Sequence, residues 1–270
     1  SHLYVFKNFK LIEGDVLNKK LFKKLINQND IIIPLAALVG APLCDKDKKK
    51  TKELNLDSIK YLLKNIKKNQ KILYPTTNSG YGIGEKNKYC DEKSELKPIS
   101  LYGRTKVSAE NEILKFKNSI CFRLATVFGF SYRMRSDLLV NNFVQTAIKK
   151  NSLLIYEPHF RRNYIHIRDV VNVFVFSIKN FKKMKSNTYN VGLSSANLTK
   201  IQLAKAIQKK VKSLKIKIGH NKKDPDQRDY YVSNKKIEKM GFKTQFKLED
   251  GINELVTFFE TSDENFINNY

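Results

Sequence analysis

At 270 residues the chain is long enough to bury a substantial core in one or two domains. Its 41% hydrophobic and 11% aromatic content fits a globular protein, and the longest apolar run, 31–43, holds two prolines and a glycine and is too short to span a bilayer. The net charge of +25 would suggest a polyanionic partner, but only eight of the 51 basic residues are arginine, and the 43 lysines are spread over nearly every predicted helix as a solvated surface.

In chain order, residues 9–16 read as a short strand ending in a Gly14-Asp15 turn. Asn18 caps a helix to about Asn27 with Leu21, Leu25 and Ile26 on its apolar face. Residues 30–33 form a fully apolar strand that runs out into Pro34-Leu35-Ala36-Ala37. Strand, helix and buried strand in succession predict a parallel α/β sheet, whose ligands lie at the carboxyl ends of strands. The spacing of Leu54, Ile59, Leu62, Leu63 and Ile66 predicts one helix over about 46–68. A strand over 71–74 leads into a turn of hydroxyl, amide and glycine residues, Thr76 to Gly82, and a helix follows over 98–116. Beyond the strand 119–124 the pattern becomes irregular, with a helix over 138–149 started by Ser136 or Asp137 and a strand over 153–156. A strand over 188–192, an Asn197-capped helix over 198–211, a strand near Ile216 and helices over 233–241 and 248–259 complete the chain. Cys44, Cys90 and Cys121 are odd in number and lack metal-ligand spacing, which suggests a reducing, cytoplasmic setting and no metal site. The opening residues carry no secretory signal pattern.

Tyr102 and Lys106 stand four apart at the start of a helix and share one face. A phenol alone keeps its proton at neutral pH, and a nearby ammonium favours the phenolate. A strand-end threonine, Thr77, can share a proton with the same substrate oxygen. Thr77, Tyr102 and Lys106 therefore suit proton exchange with a carbinol or carbonyl, and such a site needs a nicotinamide to carry hydride.

These residues resemble the extended short-chain dehydrogenase/reductase family, in particular the nucleotide-sugar epimerases and dehydratases. Further segments match in order: Arg123 to Gly129, Arg161 to Val170, Thr188 to Gly192 and Asp224 to Tyr230. The resemblance implies a Rossmann-like doubly wound parallel sheet with a smaller α/β C-terminal substrate domain, divided as 1–130 and 164–185 for NAD, and 131–163 and 186–270 for the sugar nucleotide. It implies NAD contacts from Asp15, Val16, Leu35, Ala36, Ala37, Asn55, Tyr102, Lys106 and Val127. Substrate contacts are expected from Asn78, Ser79, Asn141, Arg162 and Arg228, a guanidinium suiting a diphosphate by geometry and charge. Pro34 stands where the family often has histidine, and His166 is expected to be structural. A homodimer through the helices over 46–68 and 98–116 is expected, and neither a membrane nor nucleic acid.

No glycine-rich turn after a strand occurs in the sequence, so the first βαβ unit of the resemblance is absent, and a fragment with weak NAD binding is the expectation. A 4,6-dehydratase of the family carries an acid pair directly after the threonine, whereas this chain has Asn78-Ser79. Epimerisation through a 4-keto sugar is therefore the expected reaction; a reductase or dehydratase of the same family, or a redox-silent nucleotide- or RNA-binding relative, is the alternative.

Overall fold

The computed structural model describes residues 2–85, 88–220 and 227–262. Helix α1, Lys19–Asn27, is capped by the Asn18 side chain, which accepts from the Leu21 amide at 3.1 Å. Strand β1, Ile31–Ile32, follows, then the short helices α2, Ala41–Lys46, and α3, Lys48–Lys52. The π-helical turn Glu53–Asp57 joins α3 to α4, Ser58–Asn65. Next come β2, Lys71–Thr77, β3, Tyr89–Cys90, α5, Leu101–Leu114, β4, Ser119–Leu124, and β5, Thr126–Phe128.

Strands β2 and β4 alternate their side chains between two cores. Ile72, Tyr74 and Cys121 pack with Ile26, Ile59, Leu62, Ala109 and Ile113 under α1, α4 and α5. Leu73, Ile120 and Phe122 turn to the other face. There they meet Val173 of α7, Ile167–Lys179, and Phe181 and Met184 of α8, Phe181–Met184. Strand β8, Asn187–Val191, completes a parallel sheet in the order β1-β2-β4-β8, in register from Ile31 opposite Lys71 to Leu124 opposite Val191. Helices on both faces of a parallel sheet make it doubly wound.

The remaining elements build a second core. Helix α6, Leu139–Lys150, and β6, Ser152–Ile155, lie before β7, Arg161–His166, whose C-terminal half pairs with β5. Strand β9, Asn197–Thr199, runs antiparallel to β7, and α9, Lys200–Gln208, leads to β10, Lys215–Ile218, beside β6. Strand β11, Tyr231–Val232, pairs with β3; α10, Lys235–Lys239, and α11, Leu248–Thr261, end the described chain. Phe128, Val140, Val144, Tyr164, Leu203, Ile207, Ile252 and Leu255 are buried together here.

Several sequence expectations change. Residues 9–15 form no strand: beyond half-buried Phe9 they are exposed, and among the described residues no strand lies beside them to complete a backbone ladder. The helix expected over 46–68 is broken at Asp47 and again by the π turn. That over 198–211 begins at Lys200, where Thr199 and Gln202 form a capping box, while Asn197 lies in β9. Neither Ser136 nor Asp137 caps α6; Leu138 stands at that position without a side-chain bond. Strand β8, which lies beyond the expected boundary at 186, belongs to the central sheet.

Candidate active site

Thr77 ends β2 at the carboxyl edge of the sheet. Its Oγ1 donates to Ser79 Oγ at 2.8 Å and accepts from the Ser79 amide at 3.1 Å, folding the chain into a tight turn. Tyr102 sits in the first turn of α5, whose N-cap Ser100 accepts from the Gly103 amide at 3.1 Å. Burial holds the phenol of Tyr102 above its ordinary pKa, opposed by Thr77 and by the charges of Arg228 and Arg135. Arg228 Nη1 in turn donates to Ser79 Oγ. Thr77, Ser79, Tyr102 and Arg228 are thus one connected cluster.

Lys106 lies one turn further along α5 and is 5% exposed. Desolvation pushes its ammonium down to about 7, against the opposing influence of Cys121 and Glu110. The expectation that Lys106 lowers the pKa of Tyr102 is not met here: its Nζ stands 4.1 Å from the ring centroid of Tyr74, and the cations acting on Tyr102 are arginines.

Asn78 is 2% exposed, and neither its Oδ1 nor its Nδ2 has a hydrogen-bond partner among the described residues. A buried amide left unpaired costs on the order of 1–3 kcal/mol per group. Tyr74 Oη and Thr76 Oγ1, at alternate positions of the same strand, are unpaired as well. Asn55 lies in the π turn, where its Oδ1 accepts from the Leu38 amide and its Nδ2 donates to the Leu38 carbonyl, both at 2.9 Å. At 3.3 Å the same Nδ2 reaches Thr105 Oγ1, beside Lys106. Asn55 therefore ties the loop after β1 to the catalytic helix.

The other expected residues fall into three groups. Leu35 and Ala36 are exposed and Ala37 half-buried at the carboxyl end of β1, while half-buried Val127 lies in β5 opposite Ile165. Arg162 is buried in β7 with its guanidinium 5.8 Å from the Tyr230 ring centroid. The amide of Asn141 is taken up by protein backbone: Oδ1 accepts from the Gly129 amide at 3.1 Å and Nδ2 donates to the Arg135 carbonyl at 3.0 Å, which orders the loop. Asp15 caps the turn before α1 by accepting from the Leu17 amide at 2.9 Å. Val16 lines a cavity of ≈ 360 Å³ with Leu17, Lys19, Glu53, Asp57, Ser58 and Tyr61. No hydrogen bond or ion pair among the described residues joins Asp15 or Val16 to the Tyr102 cluster. Part of the segment expected to close over a sugar nucleotide, Asp224 to Asp226, lies outside the described residues.

Sequence reasoning missed Arg135 and Cys44, both close enough to act on Tyr102, and Tyr74 beside Lys106. Arg135 lies in irregular chain where spacing carries no signal. His166 is structural, as expected: buried, it bonds Glu254 Oε2 at 2.7 Å and stacks on Phe246 at 4.5 Å between centroids. Beneath the site, Arg123 donates to Glu110 Oε1 through Nε at 3.0 Å and Nη2 at 2.7 Å, and to Tyr81 Oη at 3.0 Å.

A doubly wound sheet, with Thr77, Tyr102 and Lys106 gathered at its carboxyl edge, is the architecture of a nucleotide-cofactor enzyme. A sequence model of the NAD dependent epimerase/dehydratase family matches residues 2–192, and the chain belongs to that family. CDP-paratose 2-epimerase of Salmonella typhi is 25% identical over 234 residues, covering 74% of this chain and 69% of its own length. Among solved structures, dTDP-glucose 4,6-dehydratase from Bacillus anthracis in complex with NAD superposes with a TM-score of 0.83 at 20% identity, over 97% of this chain and 83% of that one. UDP-glucose 4-epimerase of Thermotoga maritima with UDP-glucose gives 0.83 at 20% identity, over 94% and 85%.

The family is NAD-dependent, and the Tyr102 phenol and the Lys106 ammonium, close together on one helix at the carboxyl edge of the sheet, are groups of a kind that suits that cofactor.

Proposed function

We propose that this chain epimerises a nucleoside-diphosphate sugar at C4 through a transient 4-keto sugar. The observation that carries this reading is the Thr77–Tyr102 pair set beside a turn, Thr77 to Gly82, that contains no acid. Elimination of water would need a proton donor and a base there, and the buried Asn78 and Ser79 supply neither. Tyr102 takes the proton of the C4 hydroxyl, Thr77 hydrogen-bonds the same oxygen, and the proton returns after the keto sugar has turned its other face. NAD, when bound, accepts hydride from C4 and returns it. Lys106, Asn55 and Val127, with Asp15, Val16 and Leu35-Ala36-Ala37, are proposed to hold NAD. Asn78, Ser79, Arg162 and Arg228 are proposed to hold the sugar nucleotide. Asn141 shapes the loop beside them.

We place the cofactor half at 1–130 and 164–191 and the sugar half in the rest, with a cytoplasmic homodimer as the working form. The test is a panel of UDP-, dTDP-, CDP-, ADP- and GDP-sugars incubated with NAD and followed by NMR. Inversion at C4 with a C4 deuterium retained in the product, and a loss of roughly 10²–10⁴-fold in Tyr102→Phe, is the expected result. Unchanged turnover in Tyr102→Phe, or exchange of the C4 label with solvent, would overturn the reading.

A further inference from the structure

The catalytic helix presents Tyr102, Lys106 and Glu110 at successive four-residue steps, so the three form one row along the side that packs on β2 and β4. Opposite this row, Tyr74 of β2 lies in register with Cys121 of β4. Tyr74 is 1% exposed, and its hydroxyl has no hydrogen-bond partner among the described residues. A buried tyrosine ordinarily satisfies its hydroxyl, and this one gains nothing from it. Its ring face, however, meets the Lys106 ammonium at 4.1 Å from the centroid, well within the range of a cation–π contact. No carboxylate forms an ion pair with Lys106 among the described residues, and Glu110 directs its Oε1 to Arg123.

We propose that Tyr74 is a positioning residue for the catalytic lysine, its ring face holding the Lys106 ammonium at the back of the site behind Tyr102. The proposal rests on the reading of Lys106 as the catalytic lysine. A quadrupole attracts a cation without offering it a proton acceptor, so the ring favours the charged ammonium and leaves its N–H groups available towards the site. A carboxylate in the same place would bind the ammonium more tightly and occupy those donors.

The groups around Lys106 are few. Glu110 and Tyr102 come from its own helix, Tyr74 from β2 and Cys121 from β4, and Cys44 of α2 acts on Tyr102. Glu53 and Asp57 of the π turn line the cavity beside α1, and Lys60 of α4 acts on Glu112. Burial opposes the charge on Lys106; Cys121 and Glu110 act against that from a distance, and the ring face of Tyr74 is in direct contact with the ammonium without pairing it.

The test measures the protonation midpoint of Lys106 directly, by NMR of protein labelled with ¹³Cε-lysine, the signal being assigned by its loss in Lys106→Met. Phenylalanine, 4-fluorophenylalanine and 3,4,5-trifluorophenylalanine are placed at position 74, a series that drains the ring quadrupole at nearly constant shape. Tyr74→Phe is expected to leave the midpoint in place, and the fluorinated rings to lower it stepwise, by about one pH unit in total. A midpoint unmoved across the series would overturn the proposal. Tyr74→Met, which removes the ring, is expected to lower the midpoint as far; if that variant does not fold, the fluorinated series decides alone. The readout is independent of turnover. A midpoint that follows the ring while no sugar nucleotide reacts upholds the positioning role and sinks the functional reading; turnover that needs Tyr102 with a fixed midpoint does the reverse.

Discussion

An ammonium held down to about 7 makes Lys106 a source of pH-dependent stability. An unfolded lysine titrates near ~10.4, so between about pH 7 and about pH 10 the unfolded chain binds a proton that the folded chain does not. Stability then rises with pH across that window, and the penalty is fully present below it. Lys106→Met should therefore gain on the parent most at about pH 6, by on the order of a few kcal/mol, and the gain should fade by about pH 10. Urea unfolding at both ends of the range measures it, and a gap independent of pH would contradict the buried, discharged lysine. Tyr74→Phe makes a companion case. It removes a buried hydroxyl that has no hydrogen-bond partner among the described residues, so a neutral or slightly raised unfolding midpoint is expected, whereas a loss of more than about 1 kcal/mol would show that the hydroxyl is bonded.

Between elements, the joint that matters is α5 against β4. Arg123 and Glu110 are paired with side-chain exposures of 7% and 1%, and Tyr81, hydrogen-bonded to Asn190 Oδ1 at 2.7 Å, extends the network to β8. Breaking a buried pair from one side strands a charge. Glu110→Ala should cost roughly 3–5 kcal/mol, while the paired change Arg123→Met with Glu110→Met should cost much less. A double-mutant cycle reads the difference, and equal losses would mean that the pair is not desolvated. Much of this scaffold was legible in the sequence. Apolar runs gave β2 and β4, the family resemblance of Thr188 to Gly192 gave β8, and the Tyr102–Lys106 spacing gave α5. The Thr199–Gln202 capping box was legible too, but Asn197, an equally good cap by type, competed with it. The π turn at Asn55 was harder to read: its one local sign is the five-residue step from Leu54 to Ile59, and its partner Leu38 lies far away in sequence. The same holds for the site. Thr77 and Tyr102 were readable as a pair by type and position. That Lys106 turns to Tyr74, and that arginines from distant loops act on Tyr102, depends on packing that no spacing encodes.

At the scale of the molecule, the net charge of +25 bears on assembly more than on fold. The helices proposed to meet in a homodimer are α4 and α5, and their solvent-exposed positions include Lys60 and Lys64 on the first and Arg104, Ser108 and Asn111 on the second. Two copies related by a two-fold axis would bring Lys60, Lys64 and Arg104 near the same cations of the second copy, since an isologous interface sets one patch against itself. Salt relieves such repulsion: the Debye length shrinks from about 14 Å at about 50 mM to about 4 Å at about 500 mM, leaving apolar contacts intact. The dimer should therefore tighten as ionic strength rises, the opposite of an interface held by ion pairs. Light scattering behind size-exclusion chromatography across that range checks it, and Lys60→Gln with Lys64→Gln should raise the dimer fraction at low salt towards its high-salt value. A dimer that dissociates on adding salt would place the interface on another face, where the acidic residues of one copy meet the lysines of the other.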